Sequence, residues 1–90
     1  MSNKIILFTL SDCIYCSSLK NRLDDLSISY NEIDVDLNPE IWDKVVEQTG
    51  EDSTPTTFII REDNDVGLVF VPGIDYQTED EIVEIIKTYV

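Results

Sequence analysis

The chain has no histidine, two cysteines, and six lysines and arginines against nineteen aspartates and glutamates. Each scarcity excludes something. A complete zinc site takes about four cysteine, histidine or carboxylate ligands. One copy of this chain offers two thiols and no imidazole. A formal charge of −13 lacks the positive surface that binds nucleic-acid phosphates or anionic lipid, so no nucleic acid and no membrane is expected as a partner. The same charge suits basic protein surfaces or cationic segments, an attraction that salt weakens, and it also keeps a small protein soluble. Long hydrophobic runs are missing too. Ile5-Ile6-Leu7-Phe8 is cut short by Thr9, Ser11 and Asp12, which is too short for a secretory h-region or a bilayer span. A cytoplasmic address is therefore the default expectation. In such a reducing compartment a lone disulfide is more often catalytic or redox-sensing than structural.

Hydrophobic content of 42% is normal for a folded chain, and the absence of repeats, linkers and low-complexity segments leaves one domain over residues 1–90, expected to be monomeric. Lys4 to Leu10 reads as a strand whose continuous apolar run suggests cover on both faces. Ser11-Asp12 breaks it. Leu19, Leu23 and Leu26 then recur at helical spacing, predicting a helix from about Ile14 to Leu26. Ser29 to Val35 reads as a second strand. Asn38-Pro39 is a helix start, with a capping side chain before a proline at the first helical position. Ile41, Trp42, Val45 and Val46 give that helix its apolar face, and Gly50 is its C-cap. Thr57 to Arg61 and Val66 to Val71, around Glu62-Asp63-Asn64-Asp65, predict an antiparallel hairpin. Thr78 with Glu81 makes a capping box, and Ile82, Ile85, Ile86 and Tyr89 supply the face of a last helix. The order βαβαββα predicts an α/β, three-layer fold: a four-stranded mixed sheet flanked by three helices.

Both cysteines lie in SDCIYCSSLK, Ser11 to Lys20. A structural disulfide is poorly motivated, because cysteines three apart close a tiny loop and remove little entropy from the unfolded chain. A metal held between two copies would use their thiolates together. A dithiol–disulfide couple fits the placement best. Exchange needs one exposed thiolate to attack a substrate sulfur and a second thiol close enough to resolve the mixed disulfide. A cysteine at a strand–helix junction is exposed, and the first-turn amides and positive helix end favour its thiolate. Cys16, roughly one turn later, is more sheltered. Cys13 is thus assigned as nucleophile and Cys16 as resolving thiol. Asp12 is expected to be the helix N-cap. Pro55 at a strand entrance is explained by its missing amide. In a cis bond it would also offer the Thr54 backbone to an extended thiol-bearing peptide beside Cys13.

Phe8-Thr9, Cys13-Ile14-Tyr15-Cys16, Thr54-Pro55 opening an apolar hairpin and Gly73 before a last helix together resemble the glutaredoxins of the thioredoxin superfamily, over nearly the whole chain. The resemblance implies a thioredoxin-like fold and a cis Thr54-Pro55 bond whose backbone pairs with the cysteinyl part of glutathione. It implies that Tyr15, from the family's Cys-Pro-Tyr-Cys motif, helps line the glutathione site. It also suggests Gly73, Ile74 and Asp75 as substrate-binding positions. Four positions depart from the pattern. Ile14 replaces the motif's proline, and Leu10 stands near where many members carry a glutathione-binding lysine. Pro72 replaces the first of the usual glycine pair, and Asp75 falls one place before the aspartate that commonly receives the γ-glutamyl amine. The implied function is glutathione-dependent reduction of protein disulfides or glutathione mixed disulfides, with glutathione as co-substrate and no tightly bound cofactor. The alternatives are a dithiol electron donor fed by thioredoxin reductase, with ribonucleotide reductase as a recipient, and a non-enzymatic redox sensor or iron–sulfur or metal carrier.

Overall fold

The computed structural model describes residues 3–62 and 67–90. Along the chain come β1 (Lys4–Thr9), α1 (Ile14–Asp25), β2 (Asn31–Asp34), α2 (Pro39–Thr49), β3 (Thr56–Ile60), β4 (Gly67–Phe70) and α3 (Glu79–Tyr89). The strands form one sheet in the order β2-β1-β3-β4. β1 pairs parallel with β2, β3 antiparallel with β1, and β4 antiparallel with β3. The predicted mixed sheet is therefore present, with the apolar β1 as an interior strand. Residues 63–65 of the predicted turn, and Val66, lie outside the described residues.

Alternation along β1 builds two cores. Ile5 and Leu7 face Leu19 and Leu23 of α1 and Ile82, Val83 and Ile86 of α3. Phe8 faces the other way, onto Val35 and Val45, with Ile6, Trp42 and Phe58 around it. The Phe8 ring lies 5.8 Å from Trp42 and 5.2 Å, edge-on, from Phe58. Two helices cover one face and α2 the other, which makes three layers. Thioredoxin-like topology follows from this order and these crossings.

Several local expectations need correction. Leu26 lies past α1 as its C-cap and is exposed, because Ser27 turns the chain away with a positive φ. Ile41 is exposed, and Val45 is the buried residue of α2. Asn38 precedes Pro39 as expected, but its side chain makes no cap bond. It donates instead to the Asp34 carbonyl at 3.0 Å, holding the β2–α2 turn. Gly50 does close α2 in the left-handed region, at φ 77°. β2 is shorter than predicted, since its register with β1 begins at Ile6 and Asn31 and leaves Ser29 and Tyr30 outside the ladder. The Thr78–Glu81 capping box is complete.

Glu32 ties β2 to its neighbours. Its carboxylate accepts from Lys20 Nζ at 2.7 Å and from the buried Thr9 hydroxyl at 2.6 Å. The Lys20 bond foremost, then the Thr9 bond, holds this carboxyl below its ordinary value of 4.5. A lowered folded value means that the stabilisation is complete above the unfolded value and is lost as the pH falls through the folded one. Both partners are partly exposed, so the pair is worth about 0.5–1 kcal/mol. Glu32→Gln is expected to show that deficit in urea unfolding at neutral pH, and the gap from the wild type should shrink as the pH drops below 4.5. Comparing the two proteins at each pH cancels the general relief of self-repulsion on acidification. A gap constant with pH would rule the ion pair out as the cause.

Candidate active site

The chain leaves β1 through a tight turn in which the Cys13 amide donates to the Leu10 carbonyl at 3.1 Å. That turn puts Cys13, not Asp12, at the N-cap of α1, in extended backbone geometry. The Cys16 amide donates to Cys13 Sγ at 3.1 Å, so sulfur takes the place of the usual capping oxygen. Asp12 is exposed in the turn, a correction to its expected role. Cys13 and Cys16 are joined as a disulfide, with Cα atoms 5.2 Å apart. The pair is asymmetric, as expected from the helix position. Cys13 is half-buried, while Cys16 is 1% exposed. In the reduced protein the Cys16 amide and the aligned amides of α1 would stabilise a Cys13 thiolate.

The loop before β3 completes the setting. Thr54-Pro55 is a cis peptide, as the family resemblance implied. The Thr54 hydroxyl donates to Cys13 Sγ at 3.5 Å, and the Thr54 carbonyl oxygen lies 3.8 Å from the same sulfur. Beside this contact runs a cleft of about 490 Å³, walled by Tyr15 and Ser18 of α1, Thr54-Pro55, Pro72, Tyr76 and the start of α3 at Thr78 and Glu79. Tyr15 is 76% exposed at its mouth.

Of the residues singled out in the sequence, Cys13, Cys16, Tyr15, Thr54 and Pro55 come together. Gly73, Ile74 and Asp75 lie in the loop after β4. Gly73 adopts φ 84°, a conformation that favours glycine, and its amide donates to the Tyr76 carbonyl. The Asp75 carboxylate accepts from the Val71 amide at 2.7 Å, so it holds its own turn. Ile74 is exposed. None of the three lines the cleft; their neighbours Pro72 and Tyr76 do.

Tyr76 is the residue that sequence reasoning passed over. It is 7% exposed, and its hydroxyl donates to the Pro55 carbonyl at 2.8 Å. Burial, and then the Asp75 carboxylate, push the phenol far above its ordinary value, so it stays a neutral donor. The only hint in the sequence is its place between the Gly73 turn and the Thr78 cap. Among the described residues no group of three cysteine, aspartate or glutamate side chains could hold a metal ion, and no helix is long and apolar enough to cross a membrane.

A parallel–antiparallel sheet with a Cys-x-x-Cys pair at the head of α1 and a cis-proline loop against it defines a thioredoxin-fold dithiol protein. A glutaredoxin family model matches residues 5–63, about two thirds of the chain. The chain belongs to the glutaredoxin family. It is 34% identical over 61 residues to a glutaredoxin of Ricinus communis, covering 64% of this chain and 60% of that protein. Glutaredoxin 1 of Rickettsia prowazekii is 40% identical over 57 residues, covering 61% of this chain and 60% of the relative. A shorter stretch of 43 residues, 48% of this chain and 60% of the relative, is 33% identical to the glutaredoxin-like protein NrdH of Lactococcus lactis. The chain thus spans about 60% of the length of these relatives and 39% of bovine mitochondrial glutaredoxin-2. Among solved structures, a buckwheat glutaredoxin–glutathione complex superposes with TM-score 0.56 at 29% identity, covering 62% of this chain and 54% of that one. Thioredoxin of Fasciola hepatica, at 17% identity and TM-score 0.67, covers 99% of this chain and 82% of its own, and shares the fold.

Proposed function

We propose that this chain is a thiol–disulfide oxidoreductase that reduces protein disulfides or glutathione mixed disulfides through Cys13 and Cys16. The supporting observation is the asymmetric pair itself: Cys13 sulfur at the helix cap and against Thr54, Cys16 buried behind it. The Cys13 thiolate attacks one sulfur of a protein disulfide, and the other sulfur leaves and takes a proton. Cys16 then attacks Cys13 Sγ, releasing the second substrate thiol. Two electrons have passed to the substrate, and Cys13–Cys16 is oxidised. With a glutathione mixed disulfide, Cys13 takes the glutathionyl group and frees the protein thiol. A free glutathione thiolate then removes that group as glutathione disulfide.

Glutathione as co-substrate is supported by family membership and by the likeness to the buckwheat complex. Turnover would need no tightly bound cofactor, and the reducing cytoplasm is where a monomer of this kind would work. A second reading keeps the chemistry and changes the electron source to thioredoxin reductase, with ribonucleotide reductase as a recipient. It is favoured by Leu10 at the place of the family's lysine and by similarity to the glutaredoxin-like protein NrdH. Parallel turnover assays separate the two: glutathione with glutathione reductase, and NADPH with thioredoxin reductase. Turnover with the first pair is the expected result. Turnover only with the second would move the assignment to the donor, and activity with neither would favour a sensor or metal carrier.

A further inference from the structure

The strand directions gather four loops at one edge of the sheet. β1 and β2, being parallel, both end there, at Thr9 and Asp34, which are partners in the ladder. β3 starts there, and β4, antiparallel to it, ends there. The loops at 10–13, 35–38, 51–55 and 71–78 therefore surround the disulfide, and two features recur in them.

The first is exposed apolar surface. Ile14 and Tyr15, just after Cys13, are 81% and 76% exposed, and Leu37 and Ile74 are 79% and 59% exposed. These are four of the seven large hydrophobic side chains that stand exposed among the described residues, and all sit at or immediately beside this edge. Scattered apolar residues need no explanation, but a concentration around a reactive disulfide marks a protein-docking face.

The second is charge. Each loop carries an exposed aspartate: Asp12, Asp36, Asp52 and Asp75. None of the six lysines and arginines falls in any of the four. Lys4 starts β1 and Arg61 follows β3, which puts both at the opposite edge. Arg22, the cation that reaches the wall of the cleft, is bound to both Glu79 and Asp80. The four loops therefore hold no cation of their own to attract an acidic polypeptide.

We infer that the preferred substrate of this site is a disulfide displayed on a cationic polypeptide, gripped by the apolar side chains and steered by the aspartate rim. The inference rests on the oxidoreductase reading and specifies its substrate class. The reduced site delivers its two electrons to the polypeptide's cystine, both cystine sulfurs leaving as thiols while Cys13 and Cys16 join. Attraction of this kind acts mainly on the rate of encounter and is screened by salt.

The test uses the intact chain, fully reduced and freed of reductant, mixed in single turnover with three synthetic cystine-loop peptides. They differ only in their flanks, which are lysine, glutamate or serine. Released peptide thiol is followed by chromatography. At about 20 mM ionic strength the lysine-flanked peptide should be reduced at least about tenfold faster than the glutamate-flanked one, and the ratio should collapse towards one near 0.5 M salt. Asp12→Asn combined with Asp52→Asn, both exposed positions, should lower the low-salt ratio several-fold. Equal rates with no salt dependence, or faster reduction of the glutamate-flanked peptide, would overturn the inference while reduction of the serine-flanked peptide leaves the oxidoreductase reading standing. Failure to reduce any of the three peptides would overturn both.

Discussion

Cys13→Ser is expected to lower both protein-disulfide reduction and deglutathionylation by at least about a thousandfold, because serine supplies no thiolate near neutral pH. Cys16→Ser should behave differently. Its loss removes the resolving step, so reduction of protein disulfides should fall about tenfold to a hundredfold, while deglutathionylation, which needs Cys13 alone, should stay within about threefold. The asymmetry has a structural cause. Cys13 is half-buried at the cap of α1 and receives the Cys16 amide and the Thr54 hydroxyl, whereas Cys16, in the first turn of α1, is buried and cannot meet a bulky substrate. Non-reducing electrophoresis gives an independent readout, since the Cys16→Ser protein should accumulate as a mixed disulfide with its substrate. Equal residual activity in the Cys13→Ser and Cys16→Ser proteins would overturn the assignment of roles.

The difference in exposure between the two sulfurs was legible from residue order alone, because a strand followed by Cys-x-x-Cys and a helical pattern puts the first sulfur at the helix entrance. Which residue caps the helix was not. Asp12 is the better capping type, and only the Cys13–Leu10 turn, one bond in three dimensions, moves the cap one place on. The two faces of the sheet were likewise implied by the unbroken apolar run of β1, while the length of β2 depended on its register against β1. Loops carried the least readable information. Periodicity says nothing about where an aromatic side chain in a turn will go. Asp75 and Tyr76 are adjacent in sequence, yet one carboxylate secures its own turn and the other ring goes inward to the cleft wall. Family patterns had directed attention to Gly73, Ile74 and Asp75 as ligand contacts. Tyr76, the next residue, is a packed, hydrogen-bonded support of the Pro55 carbonyl.

Tyr76 is therefore the position where substitution should separate support of the site from support of the fold. Tyr76→Ala removes a buried ring in contact with the main core and is expected to cost about 3–5 kcal/mol, a large share of the stability of a small domain. Tyr76→Phe keeps the ring and removes only the bond to the Pro55 carbonyl, leaving that buried acceptor without its donor. The expected cost is about 1–2 kcal/mol, or about 5–10 °C in Tm. Well below that Tm the phenylalanine protein is fully folded, and any remaining defect concerns positioning. Pro55 is held by Tyr76 on one side, and its neighbour Thr54 touches Cys13 sulfur on the other. Loosening the first contact should blur the second, raising KM for a peptide disulfide several-fold with a smaller change in kcat. Reaction of the reduced protein with a small disulfide reagent, which needs only the thiolate, should change less than that. A Tyr76→Phe protein with normal Tm and normal KM would show that the hydroxyl supports neither the fold nor the site. A lowered Tm with unchanged KM would confine its role to folding. A raised KM at full folding would place Tyr76 among the residues that align Thr54 with the reacting sulfur.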